Sequence, residues 1–249
     1  TTYSKHLVYL LIYQPGELLK YVSCTNDTFW KIGKFVAEVD EIFKGIHHPA
    51  YESSYRTLWS LINISQQKEC LSLIKDKVNR NLLSDVINSF EMKVIPIIES
   101  LQKGLIHNDF NEQNVIMSQT DDGSWAVSAL IDFGDLHRSC YVFELAINIA
   151  HVILLSSDPI TAAGHIIGGY SRVRPLQEVE FNILKECVCL RLSQLILLPM
   201  SAYQINPGNE YLMSWINAGA WDVLRLLWNI PRDELKDKWT KISLSYDIQ

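Results

Sequence analysis

The stretch that decides the fold is Ile106-His-Asn-Asp-Phe-Asn-Glu-Gln-Asn-Val-Ile-Met117, followed by Ala129-Leu-Ile-Asp-Phe-Gly-Asp135. Gly104-Leu105-Ile106 reads as a short strand entering a loop, and Val115-Ile116-Met117 as the strand leaving it. Asp121-Asp122-Gly123 is a tight-turn signal, because Asp and Gly tolerate the backbone angles such turns need. Trp125 to Ile131 is β-rich and pairs back as the next strand. Asp132-Phe133-Gly134 ends that strand at a glycine. Such a hairpin places Asp109, Asn114 and Asp132 at one end.

These three residue types suit one chemistry. A phosphoryl group in transfer spreads negative charge over its oxygens, so the work is positioning and charge neutralisation. Magnesium is a hard cation that takes oxygen ligands, and one carboxylate with one amide oxygen suits it. Asp132 and Asn114 are therefore the expected metal ligands. Asp109 is the expected catalytic base, orienting an acceptor hydroxyl and taking its proton. His107 is read as a scaffold residue that fixes the loop by hydrogen bonds. Taken singly, an Asp or Asn beside a turn is more often a cap; the set of three at this spacing carries the reading.

H-N-D-F-N-E-Q-N with L-I-D-F-G-D resembles the aminoglycoside phosphotransferase and choline kinase superfamily of small-molecule kinases. The resemblance implies a protein-kinase-like α+β fold: a mostly helical C-terminal lobe with a small catalytic β-hairpin region. Ile131 to Ala150, Ala163 to Tyr170 and Asn206 to Met213 resemble the hydroxylysine kinase branch. That branch implies a cytoplasmic enzyme, phosphorylation of the side-chain hydroxyl of 5-hydroxy-L-lysine, Mg2+ and GTP as donor. A related acceptor (choline, ethanolamine, an aminoglycoside or another amino alcohol) is the first alternative. A non-catalytic lobe used for protein contacts is the second.

The chain departs from the superfamily pattern in two small ways and one large one. Asn108 stands where glycine is common before the catalytic aspartate, and asparagine tolerates unusual backbone angles. Glu144 stands in the following helix where an aspartate is common. The large departure is that neither a glycine-rich loop nor its strand lysine is found. The chain begins at Thr1 and enters the run Leu7-Val-Tyr-Leu-Leu-Ile-Tyr13, then Gln14-Pro15-Gly16. By resemblance that run is an inter-lobe strand, so residues 1–22 are expected to be the link and 23–249 the C-terminal catalytic lobe. Lys5 on the link strand is a poor substitute for the missing lysine. The chain is thus expected to be an impaired fragment. Link strands in this fold meet the nucleotide base through their backbone, which points to Leu11 and Tyr13, with Ile131 packing beneath.

Composition bounds the rest. Hydrophobic residues make up 48% of 249 and charged residues 20%, which suits a folded lobe. A net charge of −6 with no Lys/Arg run argues against nucleic acid. Val142 to Leu155 is the longest apolar stretch, but Glu144, Asn148 and His151 interrupt it, so it reads as a buried helix rather than a membrane span. Five scattered cysteines without a C-x-x-C pair read as reduced thiols.

Helical periodicity predicts a helix capped by Asp27 or Thr28 and running to Phe43. A second covers Asn81 to Lys103 and is kinked or divided at Pro96. Asp158-Pro159 starts a third, and others cover about 176–199, 207–229 and 232–242. Around the acceptor, Asp135 and Glu144 are candidates for its amines. Arg56, Arg138 or Arg191 could meet its carboxylate in a forked pair. Each of the three also has a plainer reading as an ion pair or helix contact. Trp59 and Trp221 read as core.

Overall fold

A computed structural model describes residues 10–52 and 57–246. The elements in order are β1 (Glu17–Leu18), α1 (Asn26–Phe43), α2 (Pro49–Glu52), α3 (Ile64–Cys70), α4 (Lys77–Lys93), β2 (Lys103–Ile106), β3 (Val115–Gln119) and β4 (Trp125–Leu130). They continue with β5 (His137–Cys140), α5 (Tyr141–Val152), α6 (Pro159–Val173), α7 (Glu178–Ile205), α8 (Ser214–Asn217), α9 (Ala220–Asn229) and α10 (Arg232–Leu244).

The expected hairpin forms. β3 and β4 pair antiparallel, with Val115 opposite Leu130 and Gln119 opposite Trp125, and Gly123 takes a φ of 80° in the turn between them. β1 adds to the other edge of β3. β2 and β5 form a separate two-stranded ribbon. The loop between Ile106 and Val115 therefore leaves one small sheet and enters the other.

Behind the sheets α5 is the hub, and all twelve of its residues are buried. A helix buried along its whole length must be covered on all sides, and α1, α6 and α7 pack around it. α1 and α6 cross at two glycines. A Cβ on Gly33 would stand 1.9 Å from the Ile166 carbonyl oxygen, and one on Gly169 would stand 1.9 Å from that of Trp30. Only glycine lets the two backbones meet this closely. Below the crossing the Tyr170 hydroxyl donates to Asp40 at 2.9 Å.

Several boundaries differ from the sequence reading. α1 starts at Asn26, ahead of both expected caps, and Thr25 caps it instead. Thr25 accepts from the Thr28 N–H while Thr28 returns the bond to the Thr25 N–H, a reciprocal cap. α4 begins after Asp76, which caps it, and ends at Lys93; Ile95–Ser100 follows as a tighter helix with Pro96 in its first turn. Lys103 then belongs to β2. α7 runs on through Pro199 to Ile205. The span expected as one helix over 207–229 breaks, because Gly208 and Gly219 both take φ near 95°. Of the expected strand over 7–13, Leu10 to Tyr13 form no regular element and are exposed. Leu7 to Tyr9, Lys5 and Arg56 lie outside the described residues. Among the described residues no helix is long and apolar enough to cross a membrane, and all five cysteines are free thiols.

Candidate active site

The loop from His107 to Asn114 is fixed from within. His107 is buried, and its two ring nitrogens have different partners. Nδ1 accepts from the Asp109 N–H at 3.3 Å, so the proton sits on Nε2, which donates to the Ile131 carbonyl at 3.1 Å. Burial pushes the imidazole below its usual range, which favours this neutral form. His107 thus ties the loop to the residue before Asp132. Asn111 Oδ1 accepts from the N–H groups of Gln113 and Asn114 at 2.8 and 3.1 Å, folding the loop back toward β3. The Ile131 N–H closes the structure on the Asn114 carbonyl at 2.9 Å.

Two residues of the site hold left-handed backbone: Asn108 with φ 65° and Asp132 with φ 64°. They are the only non-glycine residues with positive φ among those described. Asparagine and aspartate carry that conformation at lower cost than most side chains, which accounts for Asn108 in place of glycine. At Asp132 the turn is held by the carboxylate, whose Oδ1 accepts from the Gly134 N–H at 3.3 Å.

Asp109 and Asn114 are in direct contact. The Asn114 amide nitrogen donates to the Asp109 carbonyl and to Asp109 Oδ2, both at 2.9 Å. Both partners accept, so the amide oxygen is the end left for another ligand. With the Asp132 carboxylate, that oxygen makes a hard-donor pair of the kind magnesium takes. Among the described residues no group of three or more His, Cys, Asp and Glu could hold a metal. Any ion here would therefore draw further ligands from water or from a bound phosphate.

The loop is held from below by a polar stripe on α5. Glu144 Oε2 accepts from the Asn108 N–H at 3.0 Å, Asn148 donates to the Phe110 carbonyl at 3.2 Å, and His151 Nδ1 meets Glu112 at 3.2 Å. Residues 144, 148 and 151 share one helix face and engage alternate residues 108, 110 and 112. Glu144 thus turns its carboxylate to the loop backbone. Burial pushes that carboxyl up to about 7, against the lowering effect of the loop N–H groups.

A raised folded value means that the native state binds the extra proton. Stability from this group is complete below its ordinary 4.5 and is lost as the pH rises through about 7. Glu144→Gln is expected to remove up to about 3 kcal/mol of the stability lost between pH 5 and pH 8. Buried Asp40 is shifted upward too and leaves some dependence in place. Urea denaturation at the two pH values checks this; an equal loss in both proteins would count against it.

Asp135 lies half-buried near Asp109. Burial raises its carboxyl, and the charge of Asp109 adds to the rise. Arg191 also reaches the site. It is 1% exposed, and Nη2 donates to Asp109 Oδ1 at 3.3 Å. Of the other expected arginines, Arg138 sits on β5 beside His47, His48 and Tyr51, around a pocket of about 150 Å³. Trp59 packs edge-on to Trp215 at 6.0 Å, and the Trp221 ring faces Arg225. Glu112, His151 and Trp215 join the site without having been singled out as site residues. Their only sequence signal is polarity inside apolar surroundings.

A cleft of about 660 Å³ opens beside Asp132, between Leu10, Leu11, Ile12 and Gln14 on one side and Leu130 to Gly134 on the other. Leu11 and Ile131 line it; Tyr13 does not. Phe133, half exposed, also lines it and packs edge-on against Phe43 and His107, with ring centroids 6.1 and 5.1 Å away.

Comparison with known proteins gives consistent results. The model of the phosphotransferase enzyme family APH matches residues 11–176. Hydroxylysine kinase of Mus musculus is 30% identical over 251 residues, covering 98% of this chain and 66% of the relative. Hydroxylysine kinase of Xenopus laevis is 31% identical over 255 residues, covering 99% and 68%. The chain thus spans just under two thirds of the mouse relative's length. Among solved structures, an aminoglycoside phosphotransferase from Alicyclobacillus acidocaldarius superposes with TM-score 0.58 at 13% identity, covering 93% of this chain and 70% of that one. Amicoumacin kinase superposes with TM-score 0.56 at 15% identity, covering 91% and 63%. These two likenesses establish the kinase-like fold.

Proposed function

This chain belongs to the phosphotransferase enzyme family, and we propose that it forms the catalytic lobe of a kinase that moves the γ-phosphate of GTP to the side-chain hydroxyl of 5-hydroxy-L-lysine. The observation that carries the reading is the contact between Asn114 and Asp109, which leaves the Asn114 amide oxygen for another ligand, while the Asn114 carbonyl accepts from the N–H of Ile131, the residue before Asp132. The relatives named hydroxylysine kinase support the acceptor, and the resemblance to that branch supports the donor.

In this reading Asp109 orients the acceptor hydroxyl and takes its proton as the new O–P bond forms. Asn114 and Asp132 hold Mg2+, which when bound neutralises charge on the phosphate oxygens. His107 keeps the two segments in register, and Glu144 holds the loop backbone. Asp135 faces an amine of the acceptor. Leu11 and Ile131 enclose the base, with Tyr13 outside the lining. Residues 1–22 serve as the link and 23–249 as the lobe, in a cytoplasmic enzyme.

The polypeptide by itself is expected to work slowly. Among its described residues no lysine–glutamate pair and no glycine-rich loop covers the cleft, and preorganised charge around the phosphates is a large part of catalysis. The test compares this chain with a form extended to the length of the mouse relative. Each is offered hydroxylysine, choline, ethanolamine and an aminoglycoside, with GTP or ATP. The highest kcat/KM for hydroxylysine with GTP in the extended form is the expected result. A preference for another acceptor would replace the substrate. Absence of both transfer and metal-dependent nucleotide binding would favour a binding module.

A further inference from the structure

Behind Asp109 runs a line of buried polar groups with no part in metal binding. The Trp215 indole N–H donates to Glu112 Oε1 at 3.0 Å. Glu112 Oε2 meets His151 Nδ1 at 3.2 Å, and His151 Nε2 accepts from Arg191 Nε at 3.2 Å. Arg191 Nη2 then reaches Asp109 Oδ1 at 3.3 Å. The line joins α8, the catalytic loop, α5 and α7, through residues that are far apart in sequence.

Proton placement along the line follows from its ends. Arginine only donates, so His151 Nε2 must accept and Nδ1 must carry the proton toward Glu112. His151 is therefore a neutral connector between a guanidinium and a carboxylate.

A guanidinium buried to 1% exposure is costly unless its donors are met. Those of Arg191 are met on three sides: His151 by Nε, the Trp59 carbonyl (3.1 Å) and Gln194 (3.3 Å) by Nη1, and Asp109 by Nη2. With Nε and Nη1 pinned, the planar fork can aim Nη2 in one direction only. Asp109 is thereby gripped at both oxygens, by Arg191 on Oδ1 and by Asn114 on Oδ2. Each oxygen keeps a lone pair for an acceptor hydroxyl.

We infer that Arg191, aimed by His151 and Glu112, is the positioning residue that fixes the Asp109 carboxylate toward the acceptor. It acts through Asp109 and touches neither nucleotide nor metal. The inference rests on the phosphotransfer reading above.

Arg191→Lys and Arg191→Ala are compared with wild type in the extended form, with thermal melting recorded for each. A misplaced catalytic group costs roughly a hundredfold. The expected result is a kcat loss of that order in Arg191→Ala and about a tenth of it in Arg191→Lys, with KM for the nucleotide changed less than about twofold. Added guanidinium ion is expected to restore part of kcat in Arg191→Ala, which a merely structural role would not produce. Wild-type kcat in either folded variant overturns the inference, as does a kcat loss without rescue that tracks an equal rise in KM. If Arg191→Ala fails to fold, the kcat of Arg191→Lys decides alone. An extended wild type that transfers phosphate to no acceptor removes the phosphotransfer reading, and the inference falls with it.

Discussion

Asp109→Asn in the extended form is expected to lower phosphoryl transfer roughly a thousandfold, within the range a positioned acid or base supplies. Nucleotide binding should change little, because Asn114 and Asp132 remain. The substitution is nearly isosteric but removes an acceptor. Oδ1 and Oδ2 of Asp109 accept from Arg191 and Asn114 respectively. An amide offers one oxygen to these two donors and turns its NH2 on the other. It also leaves the buried Arg191 without the carboxylate it donates to, so some stability should be lost as well. A coupled kinetic assay alongside calorimetric nucleotide titration separates the two effects. Wild-type turnover in Asp109→Asn would remove Asp109 from the chemistry.

Asp132→Asn is expected to abolish metal-dependent nucleotide binding and, with it, turnover by at least about a hundredfold. Asparagine accepts the left-handed backbone at this position, where φ is 64°. Its side-chain oxygen can keep the bond from the Gly134 N–H. The fold should therefore survive, and a change in melting is not the expected cause of the loss. What disappears is the one carboxylate of the proposed ligand pair. Titrating nucleotide with and without Mg2+ reads this directly. Unchanged magnesium dependence would place the metal elsewhere.

The hairpin that carries Asn114 and leads to Asp132 was legible in the sequence because it closes locally. Asp109, Asn114 and Asp132 lie within 24 residues, and the turn signals between them leave one way to pair the strands. Helix ends were less legible. The choice of Thr25 over Asp27 or Thr28 depends on a reciprocal bond between two threonines, which propensity does not rank. The break within 207–229 depends on left-handed glycines that an apolar periodicity passes over.

The relay behind Asp109 was not legible for a different reason. Trp215 and Glu112 are separated by 103 positions, and Arg191 and Asp109 by 82; no spacing rule spans such distances. A trace of it was present all the same. Glu144, Asn148 and His151 interrupt an otherwise apolar helix, an interruption that argued against a membrane span. In the fold those three side chains form the stripe that carries the loop from His107 to Asn114. Polar residues at helical spacing inside an apolar helix marked a surface for a loop, but the sequence does not say which one.

The most direct measurement is the mass of 5-hydroxy-L-lysine after incubation with GTP, Mg2+ and the extended protein, wild type beside Asp109→Asn. The account predicts a product heavier by one phosphoryl group in the wild type only, and only with magnesium present. No product from the wild type, or equal product from both proteins, would contradict it.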